Sequence, residues 1–183
     1  AAYAAGQRHF GENYVQEALE KMAQLKDLDI SWHLIGALQS NKTAEVAENF
    51  AWVHSVDRLK IAQRLAKQRP AHLAPLNICL QVNIDKQQTK SGCCVDEVES
   101  LVKEILLLPR VCLRGLMIIP QAGNIQAFVQ LANLRQQLLI TIPNLSPQVF
   151  DTLSMGMSED LETAISAGST MVRVGTAIFG QRS

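Results

Sequence analysis

The sequence has no surplus of charge of either sign: Lys plus Arg equals Asp plus Glu at 17 each over 183 residues. That removes the global positive field on which non-specific nucleic-acid binding rests. No apolar run approaches the roughly 18 residues of a membrane span, and no signal peptide is visible. The cysteines, Cys79, Cys93, Cys94 and Cys112, form no CxxC pair and have no histidine at metal-ligand spacing. No metal is therefore expected. Cys79 and Cys112 sit in apolar runs as small hydrophobes, and unpaired thiols fit a reducing, cytoplasmic setting. Neither a Ser/His/Asp motif nor a carboxylate pair suited to acid–base work stands out, so no catalytic residue is nominated. Internal repeats and low-complexity tracts are absent, and the first residue is Ala1 rather than an initiator Met.

Hydrophobic residues make up 48% of the chain and charged residues 19%, a balance that buries a core rather than leaving a disordered chain. Short β-branched or aromatic runs lie at 8–11, 31–36, 52–56, 77–84, 111–119, 149–154 and 171–174. Between them, helical spacing appears at Val15, Ala18, Leu19, Met22 and Leu25, at Leu59, Ile61, Ala62 and Leu65, and at Val95, Val98, Leu101, Val102, Ile105 and Leu106. Asp57 and Ser158 are the expected caps of the helices that follow them. A loop is expected over 70–75 and a turn at Gly123-Asn124. The basic run of Arg58, Lys60, Arg64, Lys67 and Arg69 reads as a solvated helix face rather than a nucleic-acid contact.

Alternating β and α patterns predict a parallel sheet with helical crossovers. Seven strand candidates, with an Ala-rich opening resembling the end of a helix, predict a (β/α)8 barrel lacking its first βα unit. The alternative for these patterns is an open doubly wound sheet. In such a barrel the site lies at the C-terminal ends of the strands, with phosphate held after the last two. Those loops are Ser154-Met-Gly-Met-Ser158 and Gly175-Thr-Ala177. Each joins glycine to a hydroxyl residue ahead of a helix start, where free N–H groups favour an anion. Arg173, two residues before Gly175, should share its face of the strand. The other strand ends are polar, at Glu12-Asn13, Gln39-Ser-Asn-Lys42, His54-Ser55, Asn83 and Arg114. His33 and His54 read as satisfied core histidines.

At these positions the sequence resembles a known family. Phe10-Gly-Glu-Asn-Tyr14, Trp32-His-Leu-Ile-Gly36, Leu38-Gln-Ser-Asn-Lys42, Lys90-Ser-Gly92 and Arg114-Gly-Leu-Met117 are similar to the pyridoxal-phosphate homeostasis proteins. So are Leu153-Ser-Met-Gly-Met-Ser158 and the block from Ala167 through Gly180, and the likeness runs the whole length. The resemblance implies one barrel domain over 1–183, of the alanine-racemase N-terminal type and N-terminally incomplete. It implies pyridoxal 5′-phosphate (PLP) as cofactor, bound as a Schiff base on a lysine, in a carrier for vitamin B6 homeostasis rather than an enzyme. PLP-dependent apoenzymes would be its partners, and the full-length protein would be a monomer.

By residue match, Ser154, Met155, Gly156, Gly175 and Thr176 would hold the phosphate. Arg173 would face the pyridine nitrogen, and Asn13 and Asn41 would line the ring pocket. The family's Schiff-base lysine lies on the first barrel strand, upstream of Ala1, and neither Lys42 nor Lys90 matches its position. Ala37 stands where the family pattern has proline. The alternatives are a racemase-like PLP enzyme and a phosphate-binding barrel without PLP.

Overall fold

The structure is a computed structural model that describes residues 1–85 and 91–180. Lys90 lies outside the described residues. Six strands, β1 (His9–Glu12), β2 (Ser31–Leu34), β3 (Trp52–Val56), β4 (Leu76–Gln81), β5 (Val111–Met117) and β6 (Thr152–Ser154), form one sheet in sequential order. Every neighbouring pair is parallel. Helices α1 (Val15–Gln24), α2 (Thr43–Asn49), α3 (Leu59–Gln68), α4 (Val98–Ile105) and α5 (Gln126–Thr141) make the crossovers. After β6 come α6 (Leu161–Ser166) and the short α7 (Thr176–Phe179). Among the described residues no helix is long and apolar enough to cross a membrane.

The sequence explains the layering. All five residues of β3 are buried, as a parallel strand covered on both faces requires. Helix α3 buries Ile61, Ala62, Leu65 and Ala66, a single stripe at helical spacing. The large apolar core lies between helices and sheet and includes Val53, Leu65, Ile78, Leu80, Leu116 and Phe128. A second, small cluster of Trp52, Cys79 and Met117, with Ile35, Ala51 and Met171 against it, fills the inner side of the sheet. Burial pushes the thiols of Cys79 and Cys93 up to about 12, which keeps both protonated and inert.

The sheet is strongly curved. Strands β3 and β6 are three steps apart, about 14 Å on a flat sheet at ~4.8 Å per step. Yet His54 of β3 and Ser154 of β6 meet through their side chains at 2.8 Å. Parallel inward vectors on a flat sheet would never converge, so the inner face closes on itself as in a half-barrel. Two glycines permit the close approaches. A Cβ on Gly36 would lie 2.0 Å from the Asn13 carbonyl oxygen. One on Gly115 would lie 1.8 Å from that of Thr152, on the adjacent strand.

Three expectations change. Only Met171 of the run 171–174 joins the sheet, as a single parallel bridge to Ser154. The Arg173 amide instead bonds the Gly156 carbonyl of the preceding loop at 2.9 Å, which pulls the chain out of the ladder. The period-two face shared by Arg173 and Gly175 therefore does not form. The helix starts also shift. Asp57 pairs with Arg58 at 2.7 Å and makes no cap. Asp160, not Ser158, precedes α6, and its Oδ1 takes the Met157 N–H at 2.6 Å. Finally, the basic run is not all solvated. Arg69 is buried, and its guanidinium donates to the carbonyls of Ala47, Phe50 and Ala74 at 2.7–2.8 Å. It thereby satisfies orphan carbonyls at the end of α2.

Candidate functional site

The two loops after the last strands meet at the C-terminal end of the sheet. Ser154, Met155 and Gly156 are buried, because β6 ends there and the chain turns inward to pack on α6 and the Met171 segment. Gly156 has φ +95, and a Cβ on it would lie 2.5 Å from the Ala164 Cβ. A left-handed turn pressed against a helix admits only glycine. The Met155 amide bonds the Met171 carbonyl, so Met155 is locked into the wall of the site. Gly175, by contrast, is exposed and precedes α7. The amides of Gly175, Thr176 and Ala177 are the orphan donors of that short helix's first turn. The phosphate-loop residues therefore sit on two adjacent segments joined through the Arg173–Gly156 and Met155–Met171 bonds.

Arg173 is the electrostatic centre. Its guanidinium donates to Ser154 Oγ at 2.8 Å and to the Ile118 carbonyl at 2.9 Å. Burial pushes its pKa down to about 10, with Asp160 opposing the shift, so it stays cationic at neutral pH. Among the described residues it has no ion-pair partner. Asp160 is the acid it senses, and that carboxylate is engaged by Met157. A half-buried, partly desolvated cation with neutral partners is costly unless an anion completes it.

Behind Arg173 the inner face carries a row of histidines. His54 Nδ1 lies 2.8 Å from Ser154 Oγ, His54 Nε2 is 2.9 Å from His33 Nδ1, and His33 Nε2 is 2.9 Å from His9 Nδ1. The Trp52 indole stacks on His33 at 5.3 Å between centroids, with planes within 6°. Burial first, then the neighbouring His9, lowers the His33 pKa to about 3. Burial, His33 and Arg173 push His54 well below the usual imidazole range. Both are neutral. The reading of His33 and His54 as satisfied core histidines holds, and they satisfy each other. His9, Trp52 and the Ile118 carbonyl were not singled out from sequence. The available signal was three strand-borne histidines in the same inward phase.

Asn13 and Asn41 stand at the same rim, in the segments after β1 and β2, and both are exposed. Neither bonds the Ser154–Arg173 group. Lys42 is held by Glu45 at 2.8 Å. Lower in the sheet, Arg114 pairs with Asp151 at 2.6 Å, bonds Asn77 and lies over Trp52. This polar plug sits nearer the N-terminal ends of the strands and fixes the floor beneath the histidines.

A curved, sequentially ordered parallel sheet with its polar groups gathered at the C-terminal ends is the architecture of the alanine racemase N-terminal domain, and that family matches residues 1–183. Over 181 residues the chain is 56% identical to the pyridoxal phosphate homeostasis protein of Pseudomonas aeruginosa, covering 99% of this chain and 77% of that protein. Among solved structures, PipY of Synechococcus elongatus without PLP superposes with a TM-score of 0.90 at 41% identity, covering 98% of this chain and 85% of PipY. The same protein with PLP bound gives a TM-score of 0.88, covering 98% and 84%. The chain belongs to the family of pyridoxal phosphate homeostasis proteins.

Proposed function

We propose that this protein binds PLP at the C-terminal ends of its strands and serves PLP homeostasis as a carrier rather than a catalyst. The observation that carries this reading is Arg173, a half-buried guanidinium with no acid paired to it among the described residues, set beside Ser154 and two glycine-bearing loops. The residues fit the cofactor. Gly156, Gly175 and Thr176, with Met155, would hold the phosphate; Ser154, buried behind them, would seat Arg173 through its hydroxyl; Arg173 would meet the ring nitrogen; Asn13 and Asn41 would line the ring. When bound, PLP supplies an electron sink for carbanion chemistry. A guanidinium at the ring nitrogen disfavours its protonation and weakens that sink. This arrangement suits carriage of the cofactor to PLP-dependent apoenzymes. The structure of PipY with PLP bound supports the choice of ligand.

Among the described residues neither β1 nor the Met171 segment has a strand on its outer edge. A further βα unit between them would complete an eight-fold barrel, and its strand would carry the lysine that links to PLP. Four unpaired cysteines suit a reducing, cytoplasmic setting.

Equilibrium dialysis followed by borohydride reduction tests the reading. A protein extended to the full length of its relatives is expected to take up PLP and become covalently labelled. The 183-residue chain is expected to bind PLP weakly and release it after the same treatment. A full-length protein that takes up no PLP would end the proposal.

A further inference from the structure

One buried hydroxyl sets the proton positions of three histidines. Ser154 is fully buried, and among the described residues its hydroxyl has two partners, the Arg173 guanidinium and His54 Nδ1. A guanidinium has donors and no acceptor. A buried hydroxyl left without an acceptor is costly. The Ser154 proton must therefore be donated to His54 Nδ1, which holds a lone pair there. A neutral imidazole carries its single N–H on the other nitrogen, so His54 donates from Nε2 to His33 Nδ1. By the same rule His33 donates from Nε2 to His9 Nδ1. His9 then presents its own Nε2–H outward, and it is exposed, so water takes the last proton. The reverse orientation strands the Ser154 proton between two donors. Trp52, stacked flat on His33, holds that ring in its plane and opposes a ring flip.

We propose that His54, His33 and His9 form a one-directional relay, every ring in its Nε2–H form, that positions the Ser154 hydroxyl and through it the Arg173 guanidinium for an anionic ligand. The histidines touch no ligand in this scheme; they are positioning residues. The link to a ligand rests on Arg173 belonging to the PLP site, whereas the tautomers stand independently of it. The relay keeps the Ser154 oxygen turned towards Arg173 with its proton on the far side. Arg173 thus rests against a lone pair rather than competing with a hydroxyl hydrogen. Without a proton acceptor at position 54, the hydroxyl has no partner on that side and Arg173 loses its fixed seat.

Two measurements on the same preparations test this. Nitrogen-15 NMR of histidine-labelled protein near neutral pH reports which ring nitrogen is protonated. All three rings are expected as the Nε2–H tautomer; finding His33 or His54 as the Nδ1–H form or as the cation overturns the relay, whether or not PLP binds. PLP affinity is then compared for His54→Gln, whose side-chain oxygen still accepts the Ser154 proton, and His54→Leu, which cannot. The leucine variant is expected to lose about tenfold in affinity, the worth of one buried hydrogen bond, and the glutamine variant to stay within about threefold. Equal affinities for both variants and the parent overturn the positioning role. If His54→Leu fails to fold, the glutamine variant and the tautomers still decide. A confirmed tautomer set in a protein that takes up no PLP would leave the relay standing and remove the PLP reading.

Discussion

Acidification from about pH 6.5 to about pH 5 is expected to cost this protein up to about 3 kcal/mol of folding stability, before ordinary carboxylates titrate. The cause is the pair of buried neutral histidines. In the unfolded chain each takes up a proton as pH falls below about 6.5. In the folded protein His33 resists protonation until about 3, and His54 is shifted in the same direction. The unfolded state therefore binds more protons throughout this window. The stabilisation is fully present above about pH 6.5 and falls as pH drops towards the folded value. The slope rises from about 0.7 kcal/mol per pH unit at about pH 6.5 towards about 1.4 below it for each histidine that stays neutral in the fold. Against a total stability of about 5–15 kcal/mol, two such groups bring the midpoint of unfolding close to mild acid. Urea denaturation at several pH values measures the slope directly. His33→Asn should remove about half of it. A stability that stays flat between those pH values would show that the histidines are charged or solvated in the folded state.

Arg173→Gln is expected to weaken PLP binding about 100-fold, or ~2.7 kcal/mol, as loss of a buried charge-assisted contact does. The glutamine amide ends about two bonds short of the native guanidinium, which leaves room for water to take over its two partners, Ser154 Oγ and the Ile118 carbonyl. Removing a half-buried cation that no acid among the described residues pairs also removes a desolvation cost. The fold should therefore lose little, and the melting temperature should stay within a few degrees of the parent. Spectroscopic titration with PLP and thermal melts of both proteins separate the effects. Unfolding as the main consequence would make the arginine a structural residue. Unchanged affinity in a folded variant would remove it from the site.

Much of this architecture was legible because its signals are local. The alternation of apolar runs gives the order of strands and helices, and the inward stripe of α3 follows from helical spacing alone. The glycine-hydroxyl loops after the last strands announce themselves in the same way. What was not legible depends on groups far apart in sequence. Arg69 looks like one more surface cation until the carbonyls of Ala47 and Phe50 arrive from another helix end. The strand at 171–174 has the right residues, yet Arg173 bonds Gly156 and leaves the ladder. The meeting of His54 with Ser154, a hundred residues away, needs the curvature of the sheet, which no window of sequence records. The helix caps shifted because Asp57 and Asp160 found better partners in a neighbouring guanidinium and a loop amide.

The most direct measurement is a crystal structure of the full-length protein with PLP bound. The phosphate is expected between the loops at 154–158 and 175–177, with the Arg173 guanidinium at the ring nitrogen. A phosphate bound elsewhere, or an Arg173 that makes no contact with the cofactor, would contradict the assignment of the site.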